Sequence, residues 1–207
     1  MKMRYALIAG LVACVTQSFA SISIRFDNTG LGQGIDYVYN GNGRSNFAGQ
    51  LNFTNLTDSV AFTTFCVDLD HLIGGGQTYT VNLVPTIGDA TFSQAGSVYA
   101  NNYAAVATND DATALQIAIW ASRYGTDLAT NSGGTFQLDS NWYANHGSII
   151  AAAQNMVALG VNNPLDANRL VPDPEGSGQA QLSPVPEPAS LLAVGAGLAA
   201  LARRRRK

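Results

Sequence analysis

The hydrophobic pattern of the chain changes period near its middle, and this change restricts the fold more than any other feature. The first half contains short stretches that alternate or are rich in β-branched and aromatic residues: Ser21–Phe26, Ile35–Tyr39, Phe47–Phe53 and Val60–Leu69. Such stretches, separated by Gly, Asn and Asp clusters, predict strands. The second half has helical spacing. This order predicts an α+β domain with an antiparallel, β-sandwich or barrel-like first half, about three helices and a final strand.

Turn and capping residues refine these elements. The run Gly74–Gly76 predicts a turn inside a hairpin that spans Thr63 to Val84 and ends at Pro85. Helices are predicted over Ser93–Val106, over Ala112–Tyr124, and from Ser140 or Asn141 to Leu159, where Gly160 would close the helix. The N-cap candidates of the second helix are Asn109, Asp110 and Asp111.

The charged residues are unevenly placed. Seven of the 11 Lys and Arg residues lie at the two ends of the chain. The stretch from Ser21 to Pro184 has four arginines, no lysine and thirteen acidic residues, which gives a net charge of −9. An acidic body without a basic patch argues against a nucleic-acid partner.

The N-terminus has the pattern of an export signal. Two basic residues precede an apolar run from Tyr5 to Val15, and small residues, Ser18 and Ala20, stand at the two positions that a signal peptidase recognises. This pattern predicts a secretory signal over residues 1–20, cleaved between Ala20 and Ser21. Lipidation of Cys14, which ends a lipobox-like sequence, is the alternative.

The C-terminus has three parts in a fixed order. Pro186, Glu187 and Pro188 come first, followed by an uncharged apolar stretch of 14 residues, Ala189–Ala202. That stretch is shorter than the ~17–25 residues of a stable span. The basic residues that follow it are Arg203, Arg204, Arg205, Arg206 and Lys207. They would hold the end in the cytoplasm, so a transient membrane stage is predicted.

These three parts resemble the PEP-CTERM sorting tail, here residues 185–207. The resemblance implies a Gram-negative bacterium, export to the cell envelope, outer surface or extracellular matrix, and processing by an exosortase. It also implies an association with exopolysaccharide and biofilm. Between signal and tail we expect a folded domain over residues 21–171, extending at most to 182, and a Pro- and Gly-rich linker over residues 172–184.

Removal of the signal leaves one cysteine, Cys66. An unpaired cysteine in an exported protein is buried and inert, pairs between chains, or is reactive. Gln116 is also unusual, because all its neighbours in Leu115–Ala121 are apolar. A buried carboxamide must be hydrogen-bonded, lie at the edge of the helix face, or be consumed covalently.

The segments around these two residues resemble the bacterial thioester domains of surface adhesins. Phe65–Asp68 is similar to their aromatic-Cys-aliphatic-Asn/Asp strand motif, and Leu115–Trp120 to their Gln-x-Ala-Ile-Trp helix motif. Leu115 replaces the usual Thr before the glutamine. The resemblance covers roughly residues 47–182 and implies an internal thioester between Cys66 and Gln116.

Such a bond would store an activated acyl group until an amine on a surface or matrix partner attacks it. It would react once per molecule, so we predict no enzyme and no cofactor. A non-covalent matrix component with the same fold is the alternative.

Two further hypotheses concern the remaining polar residues. Cys66 with His71 or His146 would make a nucleophile and base pair of a hydrolase, but Cys66 does not begin a helix that would lower its pKa. Asp68, Asp70 and His71 form a possible metal cluster, with both aspartates expected on one strand face. Because no third carboxylate has suitable spacing, we predict no metal site.

Overall fold

The structure, a computed structural model, describes residues 21–184. The signal segment with Cys14 and Ala20, and the tail from residue 185 onward, lie outside the described residues. The strands are β1 (Ser21–Tyr39), β2 (Asn42–Asn55), β3 (Ala61–Cys66), β4 (Thr78–Pro85), β5 (Phe136–Leu138), β6 (Asn168–Pro172) and β7 (Gln181–Ser183). The helices are α1 (Ser93–Asn102), α2 (Asn109–Tyr124), α3 (Ser140–Asn145) and α4 (Gly147–Asn162), and a 3₁₀ turn covers Tyr103–Ala105.

The described strands form one antiparallel sheet whose pairings close into a ring. The order is β2-β3-β7-β6-β4-β1-β5, and β1 also pairs with β2. Six strands therefore make a barrel, and β5 pairs with the far end of β1. The predicted α+β class and barrel-like first half are confirmed.

A long hairpin builds one wall of the barrel. It joins β1 to β2 through Asn40 and Gly41, which both have positive φ. A two-residue turn of this conformation matches the right-handed twist of the two strands that it connects. The pairing shifts register between Thr29 and Gly32, where Gly32 lies against Gly49. A Cβ on Gly49 would come within 2.7 Å of the Gly32 Cα, so only glycine permits this approach of the two strands.

The helix α2 is the centre of the second half. It packs against α1, α4, β1 and β2, and every residue from Ala112 to Ala121 is buried. The helix is thus enclosed by the barrel on one side and by helices on the other. Gly160 permits the crossing of α1 and α4, because a Cβ there would come within 2.7 Å of the Val98 Cα.

Two predictions about helices were wrong. The side chain of Thr108, not of residues 109–111, caps α2, in a reciprocal capping box with Asp111. The third predicted helix is two helices, α3 and α4, which meet at His146. The N-cap of α3 is Asp139, and Gly160 lies inside α4 rather than at its end.

The predicted hairpin from Thr63 to Val84 was also wrong. β3 pairs with β2 and β7, and β4 pairs with β1 and β6. Two strands from the end of the chain, β6 and β7, lie between β3 and β4 and complete the barrel. The segment predicted as a linker over residues 172–184 therefore belongs to the fold at both ends, since Pro172 ends β6 and residues 181–183 form β7. No helix within residues 21–184 is long and apolar enough to cross a membrane.

Candidate functional site

Cys66 and Gln116 meet where the barrel faces the central helix. Cys66 is the last residue of β3, and Gln116 lies in the middle of α2. They are 50 residues apart in the sequence, and their exposed fractions are 4% and 1%. The structure therefore brings together the two residues that the sequence motifs single out.

The contact between them is a pair of hydrogen bonds. The backbone N–H of Cys66 donates to Oε1 of Gln116 at 3.0 Å, and Nε2 of Gln116 donates to the backbone carbonyl of Cys66 at 2.7 Å. The ladder between β2 and β3 ends one residue earlier, at the pair Gln50 and Phe65. The Gln116 carboxamide thus satisfies backbone groups of Cys66 that would otherwise be buried without partners.

The thiol of Cys66 turns toward its own loop. Its Sγ donates to the carbonyl of Asp68 at 2.9 Å and accepts from the N–H of Asp68 at 3.3 Å. Burial raises the pKa of this thiol to about 12. The sulfur is therefore protonated at neutral pH, which disfavours the nucleophilic thiolate of a cysteine hydrolase.

A cavity of about 200 Å³ borders both residues. Its lining is mostly apolar and includes Phe47, Leu69, Ile73 and Trp120. The indole Nε1 of Trp120 is buried and has no hydrogen-bond partner among residues 21–184. The cavity therefore offers one unused donor beside the Cys66–Gln116 pair. Trp120 belongs to the helix motif Leu115–Trp120, and nothing in that motif predicts an unpaired indole N–H.

The loop after β3 is held by side chains that the sequence analysis did not single out. The Tyr124 hydroxyl accepts from the N–H of Leu69 at 2.9 Å. Gln179 donates to the carbonyls of Asp68 and His71 at 3.2 and 3.0 Å. These bonds fix the wall of the cavity, and they join residues far apart in the sequence, so no local pattern predicts them.

The acidic residues near Cys66 lie in this loop and not on one strand face, because β3 ends at Cys66. Asp68 contacts Nδ1 of His71 at 2.6 Å, and Asp70 accepts from the Tyr39 hydroxyl at 3.0 Å. The described residues contain no group of three or more His, Cys, Asp or Glu side chains placed to hold a metal ion.

Neither histidine is bonded to the thiol. His71 is held by Asp68, while His146 stacks on Trp142, with ring centroids 4.0 Å apart, and contacts the carbonyl of the same residue. The geometry therefore offers no base that is hydrogen-bonded to Cys66.

Comparison with known proteins identifies the tail. Residues 184–207 match the PEP-CTERM protein-sorting motif, which confirms the prediction for this segment. The motif implies an exported, envelope-associated protein that undergoes exosortase-type processing. A comparison with curated proteins found no match.

Among solved structures, the chain is similar in fold to a pilus-presented adhesin, Spy0125 (Cpa), in a cysteine-to-alanine mutant form. The TM-score is 0.47 and the sequence identity 16%, over 82% of this chain and 49% of that one. The chain thus spans about half the length of the adhesin.

Proposed function

We propose that this exported protein attaches to a partner in the envelope or biofilm matrix through a thioester between Cys66 and Gln116. The observation that carries the proposal is the contact itself. A carboxamide that is almost fully buried lies within hydrogen-bond distance of the only cysteine in the described residues.

The thioester forms by acyl transfer within the chain. The Sγ of Cys66 attacks Cδ of Gln116, the S–C bond forms and the C–N bond breaks. The thiol proton leaves with the amide nitrogen as ammonia. Because burial raises the pKa of the thiol, the sulfur must lose this proton as it attacks rather than beforehand.

The observed hydrogen bonds favour this reaction in two ways. The Cys66 N–H donates to Oε1, the atom on which negative charge develops in the tetrahedral intermediate. The Cys66 carbonyl holds Nε2, the leaving nitrogen, on the other side of the carboxamide. The reaction requires the Cys66 side chain to turn away from Asp68, to which its sulfur is now hydrogen-bonded.

The stored acyl group would then react with an amine of the partner. The amine nitrogen bonds to the Gln116 acyl carbon, the C–S bond breaks and the thiol is released. The lack of lysine between Ser21 and Pro184 supports this role, because no side-chain amine of the body can consume the bond. Water is kept from the thioester by the burial of both residues.

A non-covalent matrix protein is the second candidate, and one observation favours it. Both polar atoms of the Gln116 side chain are already paired with the Cys66 backbone. An intact glutamine would therefore serve as a structural link between β3 and α2.

The intact mass of the freshly purified protein separates the two candidates. A thioester lowers the mass of the chain by the mass of one ammonia. The Cys66→Ala variant lacks the sulfur, so its mass must equal the mass calculated from its own sequence. A wild-type mass without this deficit, in protein never exposed to amines, would favour the non-covalent candidate.

A further inference from the structure

A second cleft contains two of the four arginines of the body. Arg123 lies in the last turn of α2 and Arg169 in β6. The cleft has a volume of about 250 Å³ and is also lined by Phe92 and by three acidic residues, Asp68, Asp70 and Glu175. We refer to it as the arginine cleft.

Phe92 holds the two guanidinium groups in place. The Cζ atom of Arg123 lies 4.3 Å from the centre of the Phe92 ring, and that of Arg169 lies 3.8 Å from it. Such stacking fixes the planar groups while leaving their N–H donors free to bind. Two like charges are therefore held close together on one aromatic ring.

The guanidinium groups of Arg123 and Arg169 have N–H donors that are not used within the described residues. Among residues 21–184 neither makes a hydrogen bond, and Nε of Arg123 is buried without a partner. Asp89 forms an ion pair with Arg169, with its Oδ2 3.7 Å from Nη2, a separation that exceeds hydrogen-bond distance. The other two arginines of the body already have partners, since Arg25 pairs with Asp27 and Arg44 donates to the carbonyl of Leu69. Arg123 and Arg169 therefore keep donors for an anionic group.

The cleft also offers acceptors for hydroxyl groups. Asp68 is held in position by His71, and Glu175 is exposed and makes no hydrogen bond within the described residues. Carboxylates accept hydrogen bonds from hydroxyls but repel a second carboxylate. A ligand for this cleft must therefore place its anionic group at the arginines and its hydroxyls at the acidic residues.

We propose that the arginine cleft binds a sugar acid, with the carboxylate held by Arg123 and Arg169 and the hydroxyls facing Asp68 and Glu175. The volume lies below the ~300–1,000 Å³ of sites for drug-sized ligands, so one sugar residue is the expected occupant. The site does not depend on the thioester, because Cys66 and Gln116 do not line it.

Calorimetric titration of the full chain tests the proposal with three probes: galacturonate, galactose and inorganic phosphate. Galacturonate should bind, whereas galactose, which lacks the carboxylate, should not. Arg123→Gln and Arg169→Gln should each weaken the binding of galacturonate at least about tenfold. Arg25→Gln removes the same charge from an exposed residue paired with Asp27, and should have no effect.

Two further variants keep the test decisive. Arg169→Lys retains the charge but loses the planar fork, so it should also weaken binding even if a glutamine variant fails to fold. Cys66→Ala should bind galacturonate like wild type, which separates this site from the thioester. Equal binding of galactose, phosphate binding as tight as that of galacturonate, or undiminished affinity in Arg169→Lys would each overturn the proposal.

Discussion

The carboxamide of Gln116 completes the hydrogen bonding of Cys66 at the point where β2 stops pairing with β3. Its oxygen lies 3.0 Å from the Cys66 nitrogen, and its nitrogen lies 2.7 Å from the Cys66 oxygen. A side chain from the central helix thus makes the two backbone hydrogen bonds that a neighbouring strand would otherwise make. This arrangement links the stability of the domain to the residues proposed to react.

Substitution of Gln116 by alanine should affect both stability and chemistry. The variant leaves the N–H and C=O of Cys66 buried without partners, so we expect the free energy of unfolding to fall by about 2–4 kcal/mol. It should also take up no methylamine, because the acyl group is gone. Urea unfolding and intact mass measure the two effects.

The control for this variant is Gln154→Ala on α4. The side chain of Gln154 donates one hydrogen bond, to the carbonyl of Leu128. Its expected cost is only about 1 kcal/mol, with methylamine uptake unchanged. Uptake that persisted in Gln116→Ala would place the electrophile elsewhere in the chain.

Alkylation of Cys66 should depend on whether the protein has been unfolded and whether it has first been treated with methylamine. In the native state we expect no labelling at neutral pH, because the sulfur is buried. In the thioester form, unfolding alone should not expose a thiol, whereas unfolding after methylamine should. Labelling of native, denatured, and methylamine-treated denatured samples is read by mass spectrometry. Immediate labelling of the denatured, amine-naive sample would contradict the thioester.

The amine-opened protein should lose stability at alkaline pH. Burial raises the pKa of the Cys66 thiol from 9.0 to about 12, so the folded state favours the protonated form. The corresponding stability is complete below pH 9 and is lost as the pH rises from 9 toward 12. Urea unfolding between pH 8 and 11 should show a steeper decline for amine-opened wild type than for Cys66→Ala. Parallel declines would mean that the thiol is not protected by burial.

Replacement of Gly49 by alanine should disrupt the barrel wall beside the cavity. The new Cβ would lie within 2.7 Å of the Gly32 Cα, and the φ of +152° at this position disfavours side chains. We expect a loss of about 2 kcal/mol or more in urea unfolding. Gly34→Ala is the matched control, since a Cβ there meets no atom within 4 Å. A Gly49→Ala variant as stable as Gly34→Ala would show that β1 and β2 separate easily.

Neutral residues in place of Arg203, Arg204, Arg205 and Arg206 should disturb sorting. Without the positive charges the short apolar segment has no cytoplasmic anchor and can be pulled through the membrane. Cell fractionation and the size of the mature chain test this expectation, and Arg25→Gln, at an exposed position of the body, is the control. A tail variant that matures and localises like wild type would show that the basic end is dispensable.

The sequence by itself determined the C-terminal sorting tail and the class of the fold. A tail of three parts within about two dozen residues is a local signal, and its recognition needs no folding. The change from strand-like to helical spacing is likewise local, because side-chain periodicity follows from backbone geometry. Gln116 was unusual because of its apolar neighbours, and Cys66 because it is the one cysteine left after the predicted signal is removed.

Only the tertiary structure decided which strands pair and which side chains meet. The hairpin predicted from Thr63 to Val84 failed because β6 and β7, from the end of the chain, lie between its arms. The bonds between Cys66 and Gln116 span 50 residues, and the arginine cleft joins α2 to β6. Such contacts form because closing the barrel and burying α2 lower the free energy of the whole domain, and no short window of sequence contains both partners.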